Sequence, residues 1–214
     1  MSRKLHYDEP FYWWGPGWTV SQSRGIRDLL RDGTIDPDQT AIIWAALQRR
    51  RSLVVIANKS GIGKTTLLTA LLELLPPRTR RMYLRGCYET FAFLDDPSFE
   101  REHTAVLINE LSPHLPVYLW GPSVERLFTE TGMSTMLLAT AHGKTAVDFI
   151  GTLVGSPLRI PPAQVAVLEF VIALSESPST ASGRRVGQIS RLIPTRDGVT
   201  ISSVRVNDIS QETN

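Results

Sequence analysis

Cysteine is almost absent: Cys87 is the only one in 214 residues. No internal disulfide can form, which agrees with a reducing, cytoplasmic setting. Long hydrophobic runs are also missing. Glu73 and Glu169 interrupt the two most apolar stretches, so no membrane-spanning segment is expected. The opening residues, MSRKLHYDEP, are too polar for a secretory signal. Neither sign of charge prevails. A formal net charge of +2 is too small for the basic footprint of a nucleic-acid-binding protein, and no nucleic-acid partner is expected. There is no internal repeat and no long low-complexity tract. What is present is a hydrophobic fraction of 42%, enough for one soluble globular domain.

The most informative stretch is Leu53–Leu75, LVVIANKSGIGKTTLLTALLELL. The run Leu53-Val54-Val55-Ile56 is short and β-branched-rich, as a buried strand is. A glycine-containing loop follows, then Leu67, Leu68, Leu71, Leu72 and Leu75 at helical spacing. Strand, glycine loop and helix in that order form a phosphate-binding loop. Gly61 and Gly63 let backbone N–H groups approach phosphate oxygens, and the helix start adds unpaired N–H groups and a positive dipole end. Lys64 is placed to reach the β and γ phosphates, and the Thr65 hydroxyl to ligate Mg²⁺. The expected nucleotide-binding set is Asn58, Lys59, Ser60, Gly61, Ile62, Gly63, Lys64, Thr65 and Thr66. Asn58 stands where the G-x-x-x-x-G-K-[ST] pattern begins with Gly. Asn tolerates the left-handed conformation next best, so the loop is expected to close.

The rest of the chain supplies candidate partners for that loop. Residues 1–20 hold an aromatic cluster, Phe11-Tyr12-Trp13-Trp14-Gly15-Pro16-Gly17-Trp18, with three of the five tryptophans. Gly and Pro exclude a continuous helix, leaving an irregular arm across an apolar surface of this domain or of a neighbour. Helices are expected over Ser21–Arg31 and Asp38–Arg50, the second with Asp36 as N-cap and Pro37 at its first position. Arg78, Arg80, Arg81 and Arg85 crowd a short strand near Met82-Tyr83-Leu84; they form a solvated edge or include an arginine that faces phosphate, in this chain's site or a neighbour's. Thr104–Glu110 reads as a core strand ending in a carboxylate. Such strand ends face the ligand in α/β sheets, which makes Glu110 the leading water-orienting or Mg²⁺-holding acid. Met136–His142 reads as a third core strand, with His142 structural or sensing the γ-phosphate. A helix is expected over Lys144–Val154 and a strand over Val165–Leu174. Arg185–Ile193 and Val199–Val206 form an antiparallel hairpin about Arg196-Asp197-Gly198, and 209–214 are a polar tail.

This order of motifs resembles the ATPase domain of the type II/type IV secretion and type IV pilus assembly ATPases over about residues 21–208. NKSGIGKTT stands for the family's GGTGSGKTT, Asn109-Glu110 for its Gly-Glu strand end, and Thr131-Gly132-Met133 with Ala141-His142-Gly143-Lys144 for its histidine box. Val171–Ser175 and Arg184–Ile189 are similar to its last strands. There are also departures. The family's N-terminal domain has no counterpart before residue 21. Its acidic box falls at Gly86-Cys87, leaving Glu89 as the nearest acid. Met133 replaces the first histidine, and Leu111–Phe128 replaces an Arg-Gly segment.

The resemblance implies an α/β fold: a RecA-like P-loop NTPase domain with a C-terminal antiparallel β-hairpin. It implies ATP and Mg²⁺ as cofactors, Glu110, Glu89 and His142 as catalytic residues, and Thr65 and Glu110 as the metal-facing pair. It implies a homo-oligomeric ring, a hexamer among the candidate sizes, driving a secretion or pilus-like machine. No guanine-reading Asn-Lys-x-Asp motif sits on a core strand, which tilts the nucleotide toward ATP. The thinned acidic and histidine boxes keep open a different class of protein, a nucleotide-gated pseudo-ATPase that switches partner contacts with little turnover. A small phosphotransferase shares the loop, but no acceptor-binding segment or arginine-bearing lid can be placed.

Overall fold

The computed structural model describes residues 7–10, 24–131, 134–196, 198–206 and 208. The aromatic stretch 11–18, Gly132-Met133 and the tail 209–214 therefore lie outside the described residues. The elements run α1 (Ile26–Arg31), α2 (Pro37–Gln48), β1 (Leu53–Ala57), α3 (Lys64–Leu71), β2 (Arg80–Tyr83), β3 (Thr104–Leu111), α4 (Pro122–Thr131), β4 (Met136–His142), α5 (Ala146–Val154), α6 (Pro162–Val165), β5 (Phe170–Glu176), β6 (Arg184–Thr195) and β7 (Gly198–Ser203). The strands form one seven-stranded sheet in the order β2-β3-β4-β1-β5-β6-β7. The first five are parallel, and β6 and β7 continue the sheet antiparallel.

Both faces of the sheet are covered, as a parallel sheet requires. Leu53, Val55 and Ala57 of β1 join Leu29 of α1, Ile43 and Leu47 of α2 and Leu67, Leu68 and Leu71 of α3 in one apolar cluster. Val54 and Ile56 join Val124, Leu127 and Phe128 of α4 and Phe149, Ile150 and Leu153 of α5 in the other. Every residue of β1 is therefore buried, which explains its uninterrupted LVVIA.

Local signals set several boundaries. Asp36 caps α2: its carboxylate accepts from Gln39 N (2.7 Å) while the Gln39 side chain accepts from Asp36 N (3.2 Å). These reciprocal bonds satisfy donors the helix leaves open. Thr145 and Asp148 repeat the device on α5, so that helix starts at Ala146 rather than Lys144. The expected hairpin is β6–β7, paired from Thr195↔Gly198 to Ser190↔Ser203.

Two expectations need correction. The Val165–Leu174 run is not one strand. Pro162 starts a single helical turn ending at Val165, and β5 begins only at Phe170. Glu169, between them, bonds Arg191 Nε (2.8 Å) and lies 3.4 Å from Arg51. The described helix before Asp32 is Ile26–Arg31, shorter than Ser21–Arg31. The Leu111–Phe128 insert contains the start of α4, an amphipathic helix that buries Val124, Leu127 and Phe128.

Candidate functional site

The β1–α3 loop leaves the sheet where β1 and β4 end together, Ala57 beside His142. Two of its residues need glycine. Gly61 has φ +74°, and Gly63, the N-cap of α3, has φ +107°; both are in the region that L side chains avoid. Asn58 is not among the positive-φ residues. It needs no left-handed tolerance, so the loop closes for a simpler reason than the one expected. Asn58, Lys59, Ser60 and Gly61 are exposed, Ile62 and Gly63 half-buried, and Thr65 and Thr66 half-buried on the first turn of α3. Lys59 is turned to β5, where its Nζ meets Glu176 Oε1 at 2.7 Å.

Lys64 differs from the rest of the loop. Its side chain is only 7% exposed, and Nζ lies 3.5 Å from Glu110 Oε2. β1 and β3 are not neighbours; β4 runs between them. An irregularity in β3 lets Glu110 cross that gap. Ile108 pairs with Ala139 and Leu111 with Ala141, so Asn109 and Glu110 both stand opposite Thr140. Without this bulge the alternation of β3 would put Glu110 on the same face as Val106 and Ile108. With it, Leu111 takes that face and Glu110 turns to the face of α3. A bulge commonly re-aims a side chain in this way. Thr140 then bridges, its hydroxyl lying against Asn109 O and 2.7 Å from Glu110 Oε2.

Glu110 is half satisfied. Oε2 has Thr140 and Lys64, whereas Oε1 is buried and has no hydrogen-bond partner among the described residues. Burial drives the carboxyl above its ordinary range, against the opposing pull of Lys64 and the Thr140 hydroxyl. His142 Nε2 lies 3.6 Å from Oε1. That imidazole stacks on His114, ring centroids 4.0 Å apart, and His114 in turn contacts the Ser112 hydroxyl through Nδ1. Burial first, then the charge of Lys64 and the neighbouring His114, push the His142 pKa from 6.5 down to about 4. The site therefore contains a neutral imidazole facing a carboxyl whose burial also favours neutrality.

The sign of the resulting pH effect follows from linkage. Between about pH 6.5 and about pH 4 the unfolded chain takes up a proton on His142 that the native site refuses. The stability this group contributes is complete above its unfolded value and is lost as pH falls toward the folded one. Glu110 offsets part of the loss, because its raised pKa lets the native state bind a proton earlier. His142→Gln removes the histidine effect alone. Urea unfolding should show the variant losing less stability than wild type from about pH 7 to about pH 4.5. Equal losses would mean that His142 titrates normally.

Lys64, Glu110 and His142 are thus brought together, with Thr65 on the adjacent helix turn. Glu89 is placed elsewhere. It is buried, and its carboxylate accepts from Tyr7 Oη (2.7 Å), Phe91 N (2.7 Å) and Arg85 N (3.0 Å). That set braces the 85–91 turn, in which Phe91 has φ +58°. The arginine cluster lies at the β2 edge, across β3 and β4 from β1. Arg80 pairs with Asp8, Arg81 donates to Leu72 O, and Arg85 lies over the Tyr7 ring. Three participants escaped sequence reading: Thr140, His114 and Arg184, whose Nη1 donates to Ile62 O at 2.6 Å. His114 carries a signal as a histidine within the insert that follows Glu110, and Arg184 opens the stretch similar to the family's last strands, though neither signal points to this site.

No family model matches the chain. It is 25% identical over 160 residues to an uncharacterized protein of Methanocaldococcus jannaschii, covering 67% of this chain and 59% of that protein. In structure it is similar to the VirB11 ATPase of the Brucella suis type IV secretion system, solved in complex with sulphate. The TM-score is 0.51 at 16% identity, over 71% of this chain and 51% of that one. The chain thus spans little more than half the length of each. The likeness is one of fold: a mixed α/β domain with a mostly parallel sheet and antiparallel C-terminal strands. Among the described residues no helix is long and apolar enough to cross a membrane.

Proposed function

We propose that this chain is the RecA-like P-loop ATPase domain of a secretion or pilus-like assembly machine, binding and hydrolysing ATP and working as a ring. The observation that carries the reading is the buried Lys64–Glu110 pair. A cation at the start of α3 and a carboxyl from the end of β3 meet across Thr140, although the intervening strand separates their elements. Loop amides and Lys64 supply a phosphate site, and Glu110 supplies the group that orients a water toward the γ-phosphate. The sulphate in the Brucella suis structure is consistent with an anion site in this fold.

The residues fit Mg²⁺ as a partner of the nucleotide. Among the described residues no group of three or more His, Cys, Asp or Glu side chains is arranged to hold a metal. Mg²⁺ is ordinarily held by one or two protein groups with phosphate and water. Thr65 and the unpartnered Oε1 of Glu110 are the groups that would serve it, and the ion would neutralise charge developing on the phosphates.

In the ligand-free chain Lys64 and Glu110 hold each other. Bound triphosphate competes for Lys64 and frees the carboxyl. Beside the neutral His142, Glu110 then accepts from the attacking water. The ring is inferred from the fold likeness and from the arginines at the β2 edge, which a neighbour's site could receive. The test is ADP release from purified protein, together with mass in solution with and without ATP and Mg²⁺. Turnover that rises with protein concentration alongside nucleotide-dependent oligomers is expected. Tight binding without turnover would make the chain a nucleotide-gated binding module, and a fully active monomer would remove the ring.

A further inference from the structure

The arginine that touches the β1–α3 loop comes from the far end of the chain. Arg184 opens β6, and its guanidinium donates to Ile62 O. It lies so close to Gly63 that a Cβ there would collide with Nη1 and Cζ. Gly63 thus meets two demands, a left-handed backbone and the seat of a guanidinium. Among the described residues no carboxylate lies within ion-pairing distance of Arg184. Asp32, close enough to favour its charge, is itself paired with Arg24. Among the described residues the Arg184 head hydrogen-bonds to one backbone carbonyl, Ile62 O. Half-buried guanidinium N–H groups favour anionic acceptors, which they bind about twice as strongly as neutral ones. The anion this loop is built to take is phosphate.

Accepting the nucleotide reading of the loop, we propose that Arg184 is a phosphate contact of the same site. On binding, its guanidinium turns from Ile62 O to a phosphate oxygen of the nucleotide. The backbone around it is positioned for this. Thr180 and Ser182 hydroxyls bond Arg184 O at 2.9 and 3.0 Å, and Val186 N donates to Thr34 O at 2.7 Å. Movement at Arg184 would therefore pass to the 177–183 loop, the α1–α2 turn and the β6–β7 hairpin. The arginine would report occupancy of the loop to the C-terminal part of the sheet.

The test uses the full chain with Mg²⁺ and two probes, ATP and inorganic tripolyphosphate, titrated by calorimetry into wild type, Arg184→Gln and Arg184→Lys. Arg184→Gln is expected to weaken both probes by about 10- to 100-fold, the scale of a charged hydrogen bond. Arg184→Lys keeps the charge but loses the planar fork, and should weaken both by a smaller factor. The ligand-free melting temperature is measured alongside. Should Arg184→Gln fail to fold, Arg184→Lys decides. Unchanged tripolyphosphate affinity in the folded variants overturns the proposal, whether ATP binding falls (a base or ribose contact) or not (a purely structural role). Wild type binding neither probe would overturn the nucleotide reading, and this inference with it. Wild-type binding that is lost in Lys64→Ala but kept in Arg184→Gln would overturn the inference alone.

Discussion

Lys64→Ala is expected to weaken ATP binding on the order of a hundredfold or more. Each charge-assisted hydrogen bond to phosphate is worth about 1.5–3 kcal/mol, and about 1.4 kcal/mol is a factor of ten. The ligand-free chain should keep its fold, although Lys64 is a buried residue with a buried partner. Breaking such a pair ordinarily costs about 3–5 kcal/mol, because an uncompensated charge is left behind. Here the remaining group has an escape. Burial already holds the Glu110 carboxyl above its ordinary range, and loss of Lys64 pushes it further toward the neutral acid. The variant should therefore be folded but less stable at high pH than at low pH, and Glu110→Gln placed on top of it should remove that dependence. Calorimetry with ATP and Mg²⁺, and melting across pH, check both parts. Unchanged ATP affinity would take the β1–α3 loop out of the nucleotide site.

The parts of this site legible in the sequence are those written in local chemistry. LVVIA is apolar at every position because β1 is covered on both faces. Asp36-Pro37 announces a helix start because cap and first-turn geometry depend on adjacent residues. Gly61 and Gly63 mark the left-handed positions of a tight loop. Thr104–Glu110 and Met136–His142 are recognisable as core strands; the register places the end of β4 beside β1 and the end of β3 beside β4. What was not legible depends on contacts between distant segments. Nothing local says that Asn109 and Glu110 share one partner in β4, yet this bulge decides which face the carboxyl reaches. Arg184 is 122 residues from Ile62 and resembles any other basic residue opening a strand. The apolar run from Val165 misled for a related reason. A single turn of helix and a buried strand are both apolar, and only Glu169 with its two arginines marks the boundary. Glu89 is the acid nearest in sequence to the family's acidic box, and in the fold its carboxylate accepts from Tyr7 Oη, Arg85 N and Phe91 N.

Glu110→Gln should separate binding from chemistry more cleanly than any other substitution in the chain. Glutamine matches the carboxyl in size and can keep a hydrogen bond to Thr140, so the bulge of β3 and the packing around it need not change. What is lost is the negative charge and the acceptor at Oε1, the buried oxygen that has no hydrogen-bond partner in the ligand-free site. Turnover is expected to fall by about a hundredfold or more, the scale of a general base or water-positioning group. ATP affinity measured without Mg²⁺ should hold or rise. In wild type the phosphates compete with Glu110 for Lys64, and an amide competes less well than a carboxylate. That opposition of signs, tighter binding with slower hydrolysis, would not arise from general damage to the fold, which weakens both. Single-turnover hydrolysis and ATP titration on the same preparation read the two quantities. A variant that turns over like wild type would remove Glu110 from the chemistry. One that loses ATP binding in step with turnover would make the Lys64–Glu110 pair a structural strut, leaving the water to be positioned by another group.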